Sequence, residues 1–141
     1  MSSQNELSRF LETQENVYSS ALSEIRNGKK KTHWMWFIFP QISGLGTTEM
    51  SIKYSIKNLD EAVSYLNHPV LGKRLKEITA ELLKIKGKSA LEIFGSPDDK
   101  KLKSCMTLFS IASQGPNLFL NVLDLYFKGE KDERTLEILM K

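Results

Sequence analysis

Residues Lys31-Thr-His-Trp-Met-Trp-Phe-Ile-Phe-Pro-Gln-Ile-Ser-Gly-Leu-Gly46 place more apolar bulk beside more polar chemistry than any other window of the chain. They hold both tryptophans, one of the two histidines and two of the eight glycines. Periodicity alone leaves His33 to Phe39 open between a buried strand and a short buried helix. The rest of the chain decides, because every downstream segment reads as helical and none offers a strand partner. The run is therefore predicted as a short helix ended by Pro40, since the residue before a proline avoids the helical region. Gln41 to Thr48 follows as a glycine-bearing loop, and Glu49 to Ile56 as weakly helical.

Upstream, Leu7, Phe10, Leu11, Gln14, Val17, Tyr18, Ala21, Leu22 and Ile25 recur at helical spacing and define one broad face to bury. Gln14 sits inside that stripe, where a buried amide needs partners; it is either a hydrogen-bonding hub or a pocket residue. Asn27-Gly28 stops the helix. Downstream, Asn58 or Asp60 caps a helix that runs to Leu66. Pro69 suits the first turn of the next, whose stripe is Leu71, Leu75, Ile78, Leu82 and Ile85. Ser89 to Phe94 gives one or two turns. Ser96-Pro97-Asp98-Asp99 is a helix start, with Ser96 as cap and Pro97 at the first position, followed by Leu102, Met106, Phe109 and, at the margin, Ile111 as its buried side. Ser113 to Asn117 is a loop. Leu118 to Phe127 forms a helix with Leu120, Val122, Leu123 and Tyr126 inside, and Asp132 caps the last one. The expectation over residues 1–141 is a single all-α multihelical domain of about seven helices.

At 141 residues, 40% hydrophobic and 26% charged, the chain has the composition of a soluble globular domain. Trp34 to Phe39 is far too short to span a bilayer, which takes about 20 residues. Met1 to Glu6 lacks the order of a signal peptide, and the single cysteine, Cys105, leaves a free thiol suited to a reducing compartment. A cytoplasmic protein with no membrane partner is expected. The net charge of +3 is mild and argues against a nucleic-acid partner. The clusters Lys29-Lys30-Lys31, Lys84/Lys86/Lys88 and Lys100/Lys101/Lys103 would attract phosphate only if they converged.

Established signatures are missing. There is no glycine-rich phosphate loop ending in Gly-Lys-Ser/Thr, no Gly-x-Gly-x-x-Gly, no His-Glu-x-x-His and no Cys-x-x-Cys. Two histidines and one cysteine give no metal-site spacing, and no cofactor is implied. A Cys105–His33 couple is conceivable on paper, but a lone cysteine within an amphipathic pattern usually belongs to the core. His33, beside Trp34 and Trp36, is a candidate base or ligand donor. The tryptophans either stack a planar group or pack the core, with one of the two expected in a pocket. Gln41, Gly44 and Gly46 form a loop that admits close backbone approach. Asp98, Lys101 and Ser104 share one helical face. His68, between Asn67 and Pro69, reads as a turn residue.

Together, His33 to Gln41 and Gly44-Leu-Gly46 resemble the signature of the DUF1810 family, a domain of unknown function. The resemblance continues through Glu61-Ala62, Tyr65-Leu66, His68 to Gly72, Arg74-Leu75, Phe94-Gly95, Asp98, Lys101, Ser104, Thr107 to Phe109, Asp124, Gly129 and Asp132. It covers Phe10 to Leu139, while Thr47 to Ser55 departs from the pattern. It implies a compact helical domain and no particular activity. The family's shared polar positions fall on His33, Gln41, Asp98, Lys101, Ser104 and Thr107.

These readings converge on a site between the 33–46 segment and the helix beginning at Pro97. Trp34, Trp36, Gln41, Gly44, Gly46, Lys101, Ser104 and Thr107 would bind an anionic small molecule, nucleotide or ADP-ribose-like. His33 and Asp98 would handle protons if the protein is a metal-independent hydrolase or transferase, which the sequence leaves undecided. The alternatives are a protein-interaction or homo-oligomerisation module and, third, weak nucleic-acid binding through the lysines.

Overall fold

Asp98–Ala112 is the helix on which the others are assembled. From Leu102 to Ser110 it is buried almost without interruption, the pattern of a helix enclosed by others rather than lying on a surface. In the computed structural model, which describes residues 3–113 and 117–140, it is the seventh of nine helices. They are α1 Ser3–Arg26, α2 Met35–Ile38, α3 Glu49–Lys53, α4 Leu59–Asn67, α5 Leu71–Lys84, α6 Ala90–Phe94, α7 Asp98–Ala112, α8 Leu118–Phe127 and α9 Glu133–Leu139. Helix α7 packs on α4, α6, α8 and α9, and α5 closes the assembly against α1, α4 and α8.

The all-α expectation holds, with no strand among the described residues and one isolated bridge, Ile42 to Ile56. The expected count of about seven helices is corrected to nine, because two marginal segments become helices of their own. Each has a side-chain cap at its start. Thr48 accepts from the Ser51 N–H ahead of α3, and Ser89 forms a capping box with Glu92 ahead of α6.

Other local signals resolve individually. Of the two candidates Asn58 and Asp60 it is Asn58 that caps α4, and Asp132 caps α9 as expected. Ser96 does not cap α7: Pro97 occupies the cap position, after a cis Ser96–Pro97 peptide, and Asp98 is the first helical residue. Helix α5 begins at Leu71, so Pro69 precedes it. There His68 is indeed a turn residue, its Nδ1 accepting from the N–H groups of Val70 and Leu71. In α8, Leu120 faces solvent and Phe119 takes the core position expected of it. Phe119, Val122, Leu123 and Tyr126 keep the helical spacing that Leu120 breaks. Ile111 is likewise exposed.

Gln14 is the hub of the α1 stripe. It is buried, its Nε2 donates to the Phe37 carbonyl and to the Tyr65 hydroxyl, and its Oε1 accepts from Arg74. One amide thereby joins α1 to α2, α4 and α5. Nearby, Arg9 reaches the Glu61 carboxylate at 2.8 Å and the carbonyls of Lys53 and Ser55. That ties the 53–55 segment to α1.

The turn from α4 to α5 tolerates no side chain at Gly72, where a Cβ would lie 2.0 Å from the Leu66 carbonyl oxygen. Gly87 has open space around it and a φ of +71°, so only backbone strain opposes a side chain there. Gly72→Ala is expected to destabilise by about 3 kcal/mol or more, and Gly87→Ala by about 1 kcal/mol. Urea unfolding of the two variants measures the difference; equal losses would contradict this account of the turn.

Candidate functional site

The start of the Trp-rich segment, from Lys31 to Trp34, is tied to α1 by one carboxylate. Oε1 of Glu24, near the end of α1, accepts from the N–H groups of Lys31 and Thr32 at 2.6 and 3.0 Å and from the Trp34 indole at 2.9 Å. Its Oε2 accepts from the Thr32 hydroxyl at 2.6 Å. Burial raises the carboxyl's pKa, but the Thr32 hydroxyl, the two backbone N–H groups and the indole together outweigh it and hold the group at about 2. Trp34 is thereby set into the core, 1% exposed, against Phe39 and Phe94.

Two residues later the short helix α2 turns Trp36 outward. Its ring carries the Lys101 ammonium 4.2 Å from its centroid, a cation–π contact. The same ammonium lies 3.2 Å from Asp98 Oδ1. The 33–46 segment and α7 therefore meet, and between them opens a cleft of about 440 Å³. Its other wall is the excursion from Ile42 to Ile56. That excursion is closed at its base by the bridge between those two residues, with Ile56 N–H donating to Gln41 O at 2.7 Å and Ser43 N–H to Ile56 O at 2.8 Å.

Of the residues singled out in the sequence, Trp36, Gln41, Gly46, Lys101 and Ser104 line this cleft. His33, Trp34, Gly44, Asp98 and Thr107 are not in its lining. His33 is exposed. Trp34 is core. Asp98 stands behind Lys101 and pairs with Lys30 as well. Thr107 is fully buried; its hydroxyl donates to Lys103 O and accepts from the Asp132 N–H, anchoring the start of α9 to α7. Cys105 is also fully buried, and burial pushes its thiol well above the ordinary range. With His33 at the surface, no thiol–imidazole couple is supported.

Sequence reasoning missed Tyr54, Lys100 and Arg134 in the lining. Lys100 lies beside the chosen Lys101, but nothing in the chain pattern brings α3 or α9 to α7. Asp132, the one carboxylate in the lining, was read as a cap, and its Oδ2 accepts from the Thr135 N–H and hydroxyl. The 29–31 lysine cluster touches both of the others, since the Lys88 ammonium donates to Gly28 O beside it and Lys30 shares Asp98 with Lys101. Among the described residues no group of three or more metal-binding side chains occurs, and no helix is long and apolar enough to cross a membrane.

Comparison with known families matches residues 4–139 to a model described as "Protein of unknown function (DUF1810)". Among solved structures, the chain is similar to the conserved hypothetical protein Rv1873 from Mycobacterium tuberculosis. The identity is 45% and the TM-score 0.95, over 96% of this chain and 97% of that one. No match was found among curated proteins.

Because the folded pKa of Glu24 lies below the ordinary carboxyl value of about 4.5, the unfolded chain takes up the proton first on acidification. Its contribution to stability is complete above about 4.5 and is lost as pH falls toward about 2. Glu24→Gln is expected to lower stability at neutral pH and to flatten stability against pH over that window. An unchanged acid limb in thermal unfolding would contradict this.

Proposed function

Starting from a chain that belongs to the DUF1810 family, whose function is unknown, we propose that the cleft binds a small anionic metabolite, a phosphate-bearing molecule of nucleotide or ADP-ribose type. The observation that carries this reading is the Lys101 ammonium, held over Trp36 at 4.2 Å at the wall of the cleft. Lys100 and Arg134 are in the same lining, and three cations face the single carboxylate of Asp132. Neither Lys100 nor Arg134 forms an ion pair among the described residues, so both are available to an anion.

The size of about 440 Å³ supports the reading, since sites for small molecules run from about 300 to 1,000 Å³. So does the mixture of surfaces. Leu45, Tyr54 and Pro97 offer apolar area for a planar group, while Gln41 and Thr47 offer orienting hydrogen bonds. In this reading Trp36 is not an open stacking platform, because Lys101 covers one face of its ring. Its role is to hold the ammonium.

Binding is favoured over turnover. His33 and Asp98, the proton-handling candidates, are not in the lining, and Asp132 Oδ2 is committed to the α9 cap. The lining hydroxyls have no imidazole beside them to act as a base.

A thermal-shift screen of ADP-ribose, AMP, ADP and inorganic phosphate tests the proposal. A ligand present at 100 times its Kd should add about 2.7 kcal/mol of stability, and Lys101→Ala should remove most of that gain. No shift with any of the four, or an equal shift in the variant, would overturn it.

A further inference from the structure

Behind the cleft wall stands a second lysine that the ligand would never touch. Lys30 Nζ lies 2.9 Å from Asp98 Oδ2, while Lys101 Nζ lies 3.2 Å from Asp98 Oδ1. Each ammonium also stands over an indole, Lys30 at 5.2 Å from the Trp34 ring and Lys101 at 4.2 Å from the Trp36 ring. One carboxylate is thus shared by two stacked lysine–tryptophan pairs. The two pairs differ in access, since the Lys30 side chain is 7% exposed and that of Lys101 21%. Of these two lysines only Lys101 lines the cleft.

We propose that Lys30 is a positioning residue for the anion site, acting through Asp98 to set how much positive charge Lys101 presents. A carboxylate alone beside Lys101 would largely neutralise it and draw the ammonium away from the cleft. With Lys30 holding the other oxygen, the three groups keep one net positive charge, and Lys101 keeps its place over Trp36. Desolvating a lysine is costly unless it is paired, and here the pairing has a consequence at the surface. This inference rests on the reading of the cleft as an anion site.

A purely structural tie between the loop after α1 and α7 would also use a Lys30–Asp98 pair, so the sign of the effects is the test. Inorganic pyrophosphate is titrated calorimetrically, at low ionic strength, into wild-type, Lys30→Met, Lys30→Arg and Asp98→Asn proteins. Methionine keeps an apolar stem over Trp34 and removes the charge. Lys30→Met should bind about five-fold more weakly, the effect of one partly screened charge. Lys30→Arg should stay close to wild type, and Asp98→Asn should bind more tightly. A structural tie predicts that Lys30→Met and Asp98→Asn both weaken binding or both leave it unchanged, and either result overturns the inference while the cleft reading stands. If Lys30→Met does not fold, Lys30→Gln, which also removes the charge, takes its place with the same expected loss, and unchanged binding in it overturns the inference. A wild-type protein that binds neither pyrophosphate nor the nucleotides overturns the cleft reading itself.

Discussion

The carboxylate of Glu24 is the constraint from which the site follows. The chain between α1 and α2 has no regular structure to satisfy its backbone, yet it must deliver a tryptophan into the core. Glu24 accepts four hydrogen bonds from Lys31, Thr32 and Trp34, which fixes where the segment begins. Once Trp34 is buried, a single turn of helix determines that Trp36 emerges on another side. Its ring then meets α7 at Lys101. Two tryptophans two residues apart are thereby divided, one for the core and one for the cleft.

The opposite wall depends on a different economy of contacts. The excursion from Ile42 to Ile56 has a bridge at its base and Arg9 holding the Lys53 and Ser55 carbonyls. Helix α3 at its tip has no buried residue, so it is the least packed helix. Its Ser51 and the Thr47 and Thr48 before it line the cleft together with Lys100, Lys101 and Arg134. A wall built from few contacts opposite a rigid, charged helix suits reversible binding, since loops with little burial are the parts of a protein that open most readily.

Much of the fold was legible because its signals are local. Asn58 and Asp132 are helix caps readable three residues at a time, and the stripe of α1 is a matter of spacing. The need of Gln14 for partners was legible too, but its choice of the core over a pocket was not, because that depends on Phe37, Tyr65 and Arg74. The buried extent of α7 was not legible, because enclosure on all sides is a property of its neighbours. The inward turn of Phe119 and the outward turn of Leu120 were missed by taking the wrong phase of the α8 pattern. In the site, Trp36, Gln41, Gly46, Lys101 and Ser104 could be picked out as chemistry-bearing residues. Lys30, Tyr54 and Arg134 could not, since each acquires its role from a contact distant in sequence, and Glu24 could not because its partners, though only 7 to 10 residues away, reach it through a turn with no periodic signal. His33 shows the reverse failure: a residue chosen for its chemistry that the fold leaves at the surface.

The central claim is that the cleft between Trp36 and α7 is where a phosphate-bearing metabolite binds. Isotope-labelled NMR of the wild-type protein tests it directly, because the two indole side chains report separately. On titration with ADP-ribose, the account predicts saturable shifts of the Trp36 ring and of the Gln41, Gly46 and Ser104 signals. The Trp34 indole, bonded to Glu24 in the core, should stay nearly still. Saturable binding whose shifts map elsewhere on the surface, with Trp36 unmoved, would contradict it.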